Sequence, residues 1–105
     1  MAEYLQQALA ETVRRIVAVV QPERIVLFGS AARGTVDSGS DLDLLVVKQG
    51  AHRRRTAQAI YRALAGIGCS VDVVVVTPED VAAHGETSGY VLAQALREGR
   101  TIYAA

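Results

Sequence analysis

Disulfides are excluded at once, because the 105-residue chain carries a single cysteine, Cys69, and one thiol makes no internal bridge. A lone thiol suits a reducing compartment, so the cytoplasm is the expected setting. Long hydrophobic runs are missing too. The uncharged apolar stretches are strand-sized, far short of the ~20 residues that cross a bilayer. Glu3 and Glu11 sit among the first apolar residues and no basic start precedes an apolar run, so no secretory leader is expected. Neither charge sign is in excess, with eleven Lys plus Arg against eleven Asp plus Glu. That balance argues against an anionic membrane and against nucleic acid as a direct ligand, and requires any phosphate binding to be local. Repeats, low-complexity tracts and dividing linkers are absent, and residues 1–105 read as one domain. With 50% hydrophobic residues the chain can build one core, burying roughly two thirds of its unfolded surface.

Proline occurs twice, and each falls at a predicted helix limit. Leu5, Leu9, Val13, Ile16, Val17 and Val20 recur at helical spacing, which predicts a helix over 2–21 that Pro22 ends. Arg24 to Phe28 reads as a buried strand, followed by a turn or short helix through Arg33. The Gly-, Ser-, Thr- and Asp-rich segment 35–40 reads as a surface loop, and Asp41 to Val47 as the second strand. Ala57, Ile60, Tyr61, Leu64 and Ile67 share a face of a helix over 51–66, closed by Gly66 and Gly68. Ser70 to Val76 is the third strand, and its four valines, 73 to 76, predict burial on both faces. Pro78-Glu79-Asp80 suits a helix start, a last helix spans about 87–97, and Thr101 to Tyr103 suits a short edge strand. The fold class is α/β (α+β): a small sheet of three to four strands flanked by helices. Spacing leaves open which neighbours are antiparallel, and whether the apolar faces 5–20 and 91–96 pack inward or against a partner.

Chemistry concentrates in one segment, Leu27-Phe28-Gly29-Ser30-Ala31-Ala32-Arg33-Gly34, five loop residues, then Ser40-Asp41-Leu42-Asp43-Leu44-Leu45-Val46. Gly29 lets a bound group approach the backbone, and Ser30 leads into a helix N-terminus whose free N–H groups suit phosphate oxygens. Ala31 and Ala32 are expected to keep that approach clear. Asp41 and Asp43 lie two apart on a strand, so they share a face roughly 6.5 Å apart along the chain. Like charges there are unfavourable without a cation between them, and Mg²⁺ takes oxygen ligands together with substrate phosphates. Asp72, a charge inside the apolar run 71–76, is the third candidate acid, and needs a partner if its strand is central.

The pattern Gly-Ser-x-Ala-Arg-Gly, five residues, then Ser-Asp-x-Asp-Leu-x-Val resembles the signature of the minimal nucleotidyltransferases, within the DNA polymerase β-like superfamily. The resemblance extends over nearly the whole chain. It implies a nucleotidyltransferase fold with a mixed sheet, Gly29, Ser30 and Arg33 at the nucleotide, and Asp41, Asp43 and Asp72 as catalytic ligands of two Mg²⁺ ions with ATP as substrate. It further implies an antitoxin that transfers AMP from ATP to a tyrosine of a helical HEPN-family toxin. Larger members of the superfamily carry an extra domain for the acceptor, so the acceptor here is expected from a partner. Two other readings stand beside it. One is a non-catalytic antitoxin that works by occlusion, and the other is the catalytic subunit of a small-molecule nucleotidyltransferase.

Several residues carry weaker signals. Arg33 either contacts phosphate or pairs with Asp37 or Asp41 to hold the loop, and Asp37 reads as a turn former. Lys48 is either a phosphate contact or an exposed strand-end lysine. Arg53-Arg54-Arg55 reads as a solvated helix face or as a docking surface for an acidic partner or RNA. His52 and His84 have no metal-ligand spacing, and Cys69 is expected to be a small buried residue.

Overall fold

The apolar stripe near the N-terminus forms the helix its spacing predicts, in a computed structural model that describes residues 3–33, 42–85 and 91–105. Helix α1 spans Glu3–Val20 and buries Leu5, Thr12 and Ile16. Thr12 is fully buried and donates from its hydroxyl to the Ala8 carbonyl at 2.7 Å, so a polar residue sits in the core at little cost. The helix stops where Gln21 adopts a φ of 53° ahead of Pro22. Strand β1, Arg24–Phe28, runs directly into a one-turn helix, α2, Gly29–Arg33. Next come β2, Leu42–Val47, and α3, Arg53–Ala63, then β3, Val71–Val76, and α4, Pro78–His84. The chain closes with α5, Val91–Glu98, and β4, Arg100–Ala104.

The sheet order is β3-β2-β1-β4. β1 pairs antiparallel with both β2 and β4, while β2 and β3 run parallel, with α3 in the crossover that a parallel pair requires. The sheet is therefore mixed. Strand alternation divides its side chains between two helical layers. Ile25, Leu27, Leu42, Leu44, Val46 and Val75 face α1 and α3, meeting Leu5, Ile16 and Ile60. Val26, Leu45, Val47 and Val76 face the other way, onto Leu92 and Ala95 of α5, with Val81 of α4 against them. Both stripes left unassigned by periodicity, on α1 and on α5, thus pack internally, except for Val91, which is 52% exposed. No helix among the described residues is long and apolar enough to cross a membrane.

The expectation that β3 is buried on both faces is wrong. It is a sheet edge, and Val74 is 36% exposed while only Val75 and Val76 are buried. A valine run reports β propensity and a parallel partner, but α4 and α5 cover only the far half of this strand's second face. Helix α3 is also shorter than the 51–66 that periodicity gave. His52 caps it, accepting the Arg55 N–H on Nδ1 at 3.3 Å, and the chain leaves the helix at Leu64 before Gly66 and Gly68, at φ 78° and 89°. Arg15 closes the other end by donating to the Ala63 and Ala65 carbonyls at 3.2 and 3.0 Å, which ties α1 to α3. Asp41, expected in β2, and residues 87–90, expected in the last helix, lie outside the described residues.

Helix α4 starts with a reciprocal cap. Asp80 N–H donates to the Thr77 hydroxyl at 3.1 Å and Thr77 N–H donates to the Asp80 carboxylate at 2.9 Å. That backbone donor, helped by Arg53 at 2.6 Å and opposed by partial desolvation, holds the Asp80 carboxyl below the usual aspartate range. A carboxyl depressed in the folded state stabilises fully above its unfolded pKa, and the gain is lost as pH falls through the folded one. Thr77→Ala should therefore cost about 1 kcal/mol in urea unfolding at pH 7. Asp80→Asn should lower stability at neutral pH and flatten its decline below the ordinary aspartate range; an unchanged acid limb would disprove the assignment.

Candidate active site

Register decides which acids meet. Phe28, the last residue of β1, lies opposite Asp43 on β2, and Asp43 in turn lies opposite Asp72 on β3. The three form a row across the sheet where β1 ends and β2 and β3 begin. Asp43 shares the strand face of Leu45 and Val47, and Asp72 that of Val76, so both carboxylates lie on the α5 side. Neighbouring strands are about 4.8 Å apart. Two unit charges at that separation repel by about 1 kcal/mol in water and about 3 kcal/mol at the effective dielectric of a protein surface. Asp43 is half-buried and Asp72 exposed, so the pair opens toward solvent.

Gly29 closes the site from the β1 side. Its φ is +75°, and a Cβ there would overlap the Asp43 carboxylate, whose Cγ would stand 3.2 Å away. Backbone and carboxylate are thus in contact with no room for a side chain, as a close approach to a bound group needs. Ala31 is 3% exposed and packs in the core with Ala32 against it, so their small size serves packing instead of keeping the ligand path clear. Helix α2 has five residues, hence a small macrodipole, and what it offers are first-turn N–H groups without intrahelical partners.

Of the other predicted residues, Ser30 and Arg33 belong to α2 by their backbone, while their side chains, like Asp41 and Asp37, lie outside what is described. Asp72 is brought to Asp43, although the argument that a charge in a central strand needs a partner does not apply at an edge. Lys48 donates to the Gln21 carbonyl at 3.2 Å, a structural tie at the end of α1. Arg53 pairs with Asp80, while Arg54 and Arg55 are exposed on the first turn of α3. Cys69 is half-buried at the margin of the core, not fully buried as expected. Tyr61, placed by spacing on one helical face with Ile60 and Leu64, is 46% exposed, and its hydroxyl accepts the Val73 N–H at 2.9 Å. Only periodicity spoke for Tyr61, and periodicity does not register a hydroxyl.

Among the described residues no group of three His, Cys, Asp or Glu stands together. What is present fits a divalent cation: two carboxylates in register on one face, solvent-accessible, with bare backbone against one of them. A groove between α4 and α5, lined by Arg24, Val81, Gly85, Ala93, Leu96 and Arg97, includes none of Gly29, Asp43 and Asp72.

A family model described as a nucleotidyltransferase domain matches residues 7–101. No curated protein matches the chain. Among solved structures, a Sulfolobus solfataricus protein described as a nucleotidyltransferase candidate is similar at 19% identity and a TM-score of 0.58, over 99% of this chain and 90% of that one. A toxin–antitoxin structure with AMP-PNP is similar at 22% identity and a TM-score of 0.55, over 90% of this chain and 72% of that one. At these identities the likeness establishes the fold, a nucleotidyltransferase-like α+β arrangement with a mixed sheet.

Gly29→Ala tests the close approach. It places an L side chain at positive φ and against the Asp43 carboxylate, so unfolding free energy should fall by about 1–3 kcal/mol in urea titration. Gly50→Ala, also at positive φ but with nothing within 4 Å, should cost less; equal losses would show that only backbone strain matters at Gly29.

Proposed function

Because the chain belongs to the nucleotidyltransferase domain family, we propose that it is a Mg²⁺-dependent protein adenylyltransferase acting as an antitoxin. It transfers AMP from ATP to a hydroxyl, a tyrosine in the first instance, of a HEPN-type partner toxin. The observation that carries the reading is the row Gly29, Asp43, Asp72 at one end of the sheet, with glycine backbone seated on one carboxylate and the second carboxylate in register beside it.

In this reading residues 1–105 form one minimal domain, active in the cytoplasm, and the acceptor comes from the partner protein. Gly29 and Ser30 offer backbone N–H groups to the triphosphate, and Arg33 supplies a guanidinium for its oxygens. Asp41, Asp43 and Asp72 hold two Mg²⁺ ions, which when bound neutralise charge on the attacking and leaving oxygens. Asp72, solvent-exposed at the sheet edge, is the acid an incoming hydroxyl can reach, and it takes the proton as that oxygen bonds to the α-phosphorus. The α–β phosphoanhydride bond breaks and pyrophosphate leaves. The AMP-PNP in the structurally similar toxin–antitoxin supports both nucleotide and partner, and the motif across Asp41 and Asp43 supports the metal.

Intact mass of the protein encoded beside this chain, after incubation with the chain, ATP and Mg²⁺, tests the reading. The native chain should add one or more AMP masses, while Asp43→Asn and Asp72→Asn should leave the partner unmodified. A tight complex without any mass increment would sink the enzymatic reading and leave occlusion in its place.

A further inference from the structure

The third acid is carried by an edge strand of the sheet. β3 pairs with β2 on one side only, among the described residues. Leu42 N–H donates to the Ser70 carbonyl at 3.0 Å and Lys48 N–H to the Val76 carbonyl at 2.9 Å. Even-numbered residues of β3 therefore turn their peptide groups toward β2, and odd-numbered ones turn theirs to the open edge. Asp72 is tied inward by this pattern, whereas the amide of the next residue, Val73, points outward. That amide is the one the Tyr61 hydroxyl accepts, at 2.9 Å.

Tyr61 belongs to a helix that cannot shift easily. Ile60, its neighbour, is fully buried in the core, Leu64 is buried one turn on, and Arg15 holds the carbonyls of Ala63 and Ala65. The phenol thus ties the fixed helix α3 to the free side of β3 at the residue after Asp72. Side chains alternate along a strand, so Val73 faces α3 while Asp72 faces the other layer. A tether at the Val73 amide consequently sets the tilt of the Asp72–Val73 peptide plane, and with it the orientation of the adjoining Cα that bears the Asp72 carboxylate. We infer that Tyr61 is a positioning residue for Asp72, keeping its carboxylate opposite Asp43 so that the two share one divalent cation. The inference rests on the reading of Asp43 and Asp72 as metal ligands.

The probe is Mn²⁺, titrated into the full chain and followed by water-proton relaxation, with amide hydrogen exchange measured in parallel. Tyr61→Phe removes only the hydroxyl. It should weaken Mn²⁺ binding about fivefold, the size expected for one net hydrogen bond, and speed exchange at Val73 while Val26 in β1 stays protected. A merely structural bond makes no link to Asp72, so the deciding comparison is the double variant. On an Asp72→Asn background, Tyr61→Phe should have no further effect on Mn²⁺. Unchanged affinity in Tyr61→Phe, or an equal loss with and without Asp72, overturns the inference while leaving the metal reading intact. A native chain that takes up no Mn²⁺ overturns the metal reading, and the inference with it.

Discussion

The pairing of β1 with β2 governs everything else in this molecule. Both strands are covered on both faces: Ile25, Leu27, Leu44 and Val46 against one helical layer, Val26, Leu45 and Val47 against the other. A shift of one residue would exchange the layers and drive Asp43 into the place of Leu44, which is fully buried. Register is thereby fixed by the core, and the core in turn fixes where the chain reverses chemistry. Phe28 must lie opposite Asp43, so Gly29, the next residue, must meet the carboxylate.

From that pair the site grows outward by topology. The crossover through α3 returns the chain parallel to β2, and register sets Asp72 beside Asp43 without any direct bond between the two being required. Half-burial of one acid and exposure of the other give an opening toward solvent at the sheet edge. In the proposed reading, this opening admits the cation, the phosphates and the acceptor. Stability resides in the two-layer core, and the candidate site lies at its edge, where Tyr61 supplies the bond that a further strand would have made.

Net neutrality conceals an uneven charge pattern. From Leu44 to Val71 the chain contains no acid, while Lys48, Arg53, Arg54, Arg55 and Arg62 all fall there. Arg53 is engaged by Asp80 and Lys48 by a carbonyl, whereas Arg54, Arg55 and Arg62 project exposed from α3. The acids of the described residues lie outside that stretch, Asp43 and Asp72 near the starts of β2 and β3, Glu79 and Asp80 on α4, and others on α1 and α5. The cationic helix α3 packs against the strand that bears Asp72. Summed charge, which argued only against a whole-protein field, has no access to that distribution.

The amino-acid order by itself marked the elements and their kinds: helical spacing from Leu5 to Val20, strand-like runs at 24–28, 41–47 and 70–76, and prolines and glycines at their limits. It also marked Gly29, Asp43 and Asp72 as the residues to watch, because glycine before a helix and acids within apolar strands are locally costly. Tertiary structure alone decided strand order, and with it the fate of the valine run, since propensity is the same for an edge and a central strand while coverage is not. It also decided that Ala31 serves the core, that His52 caps a helix, and that Tyr61 reaches a backbone amide twelve residues away. These are pairings between segments distant in sequence. A local pattern states what each segment needs to bury or to bond, and only the packed chain states which partner meets the need.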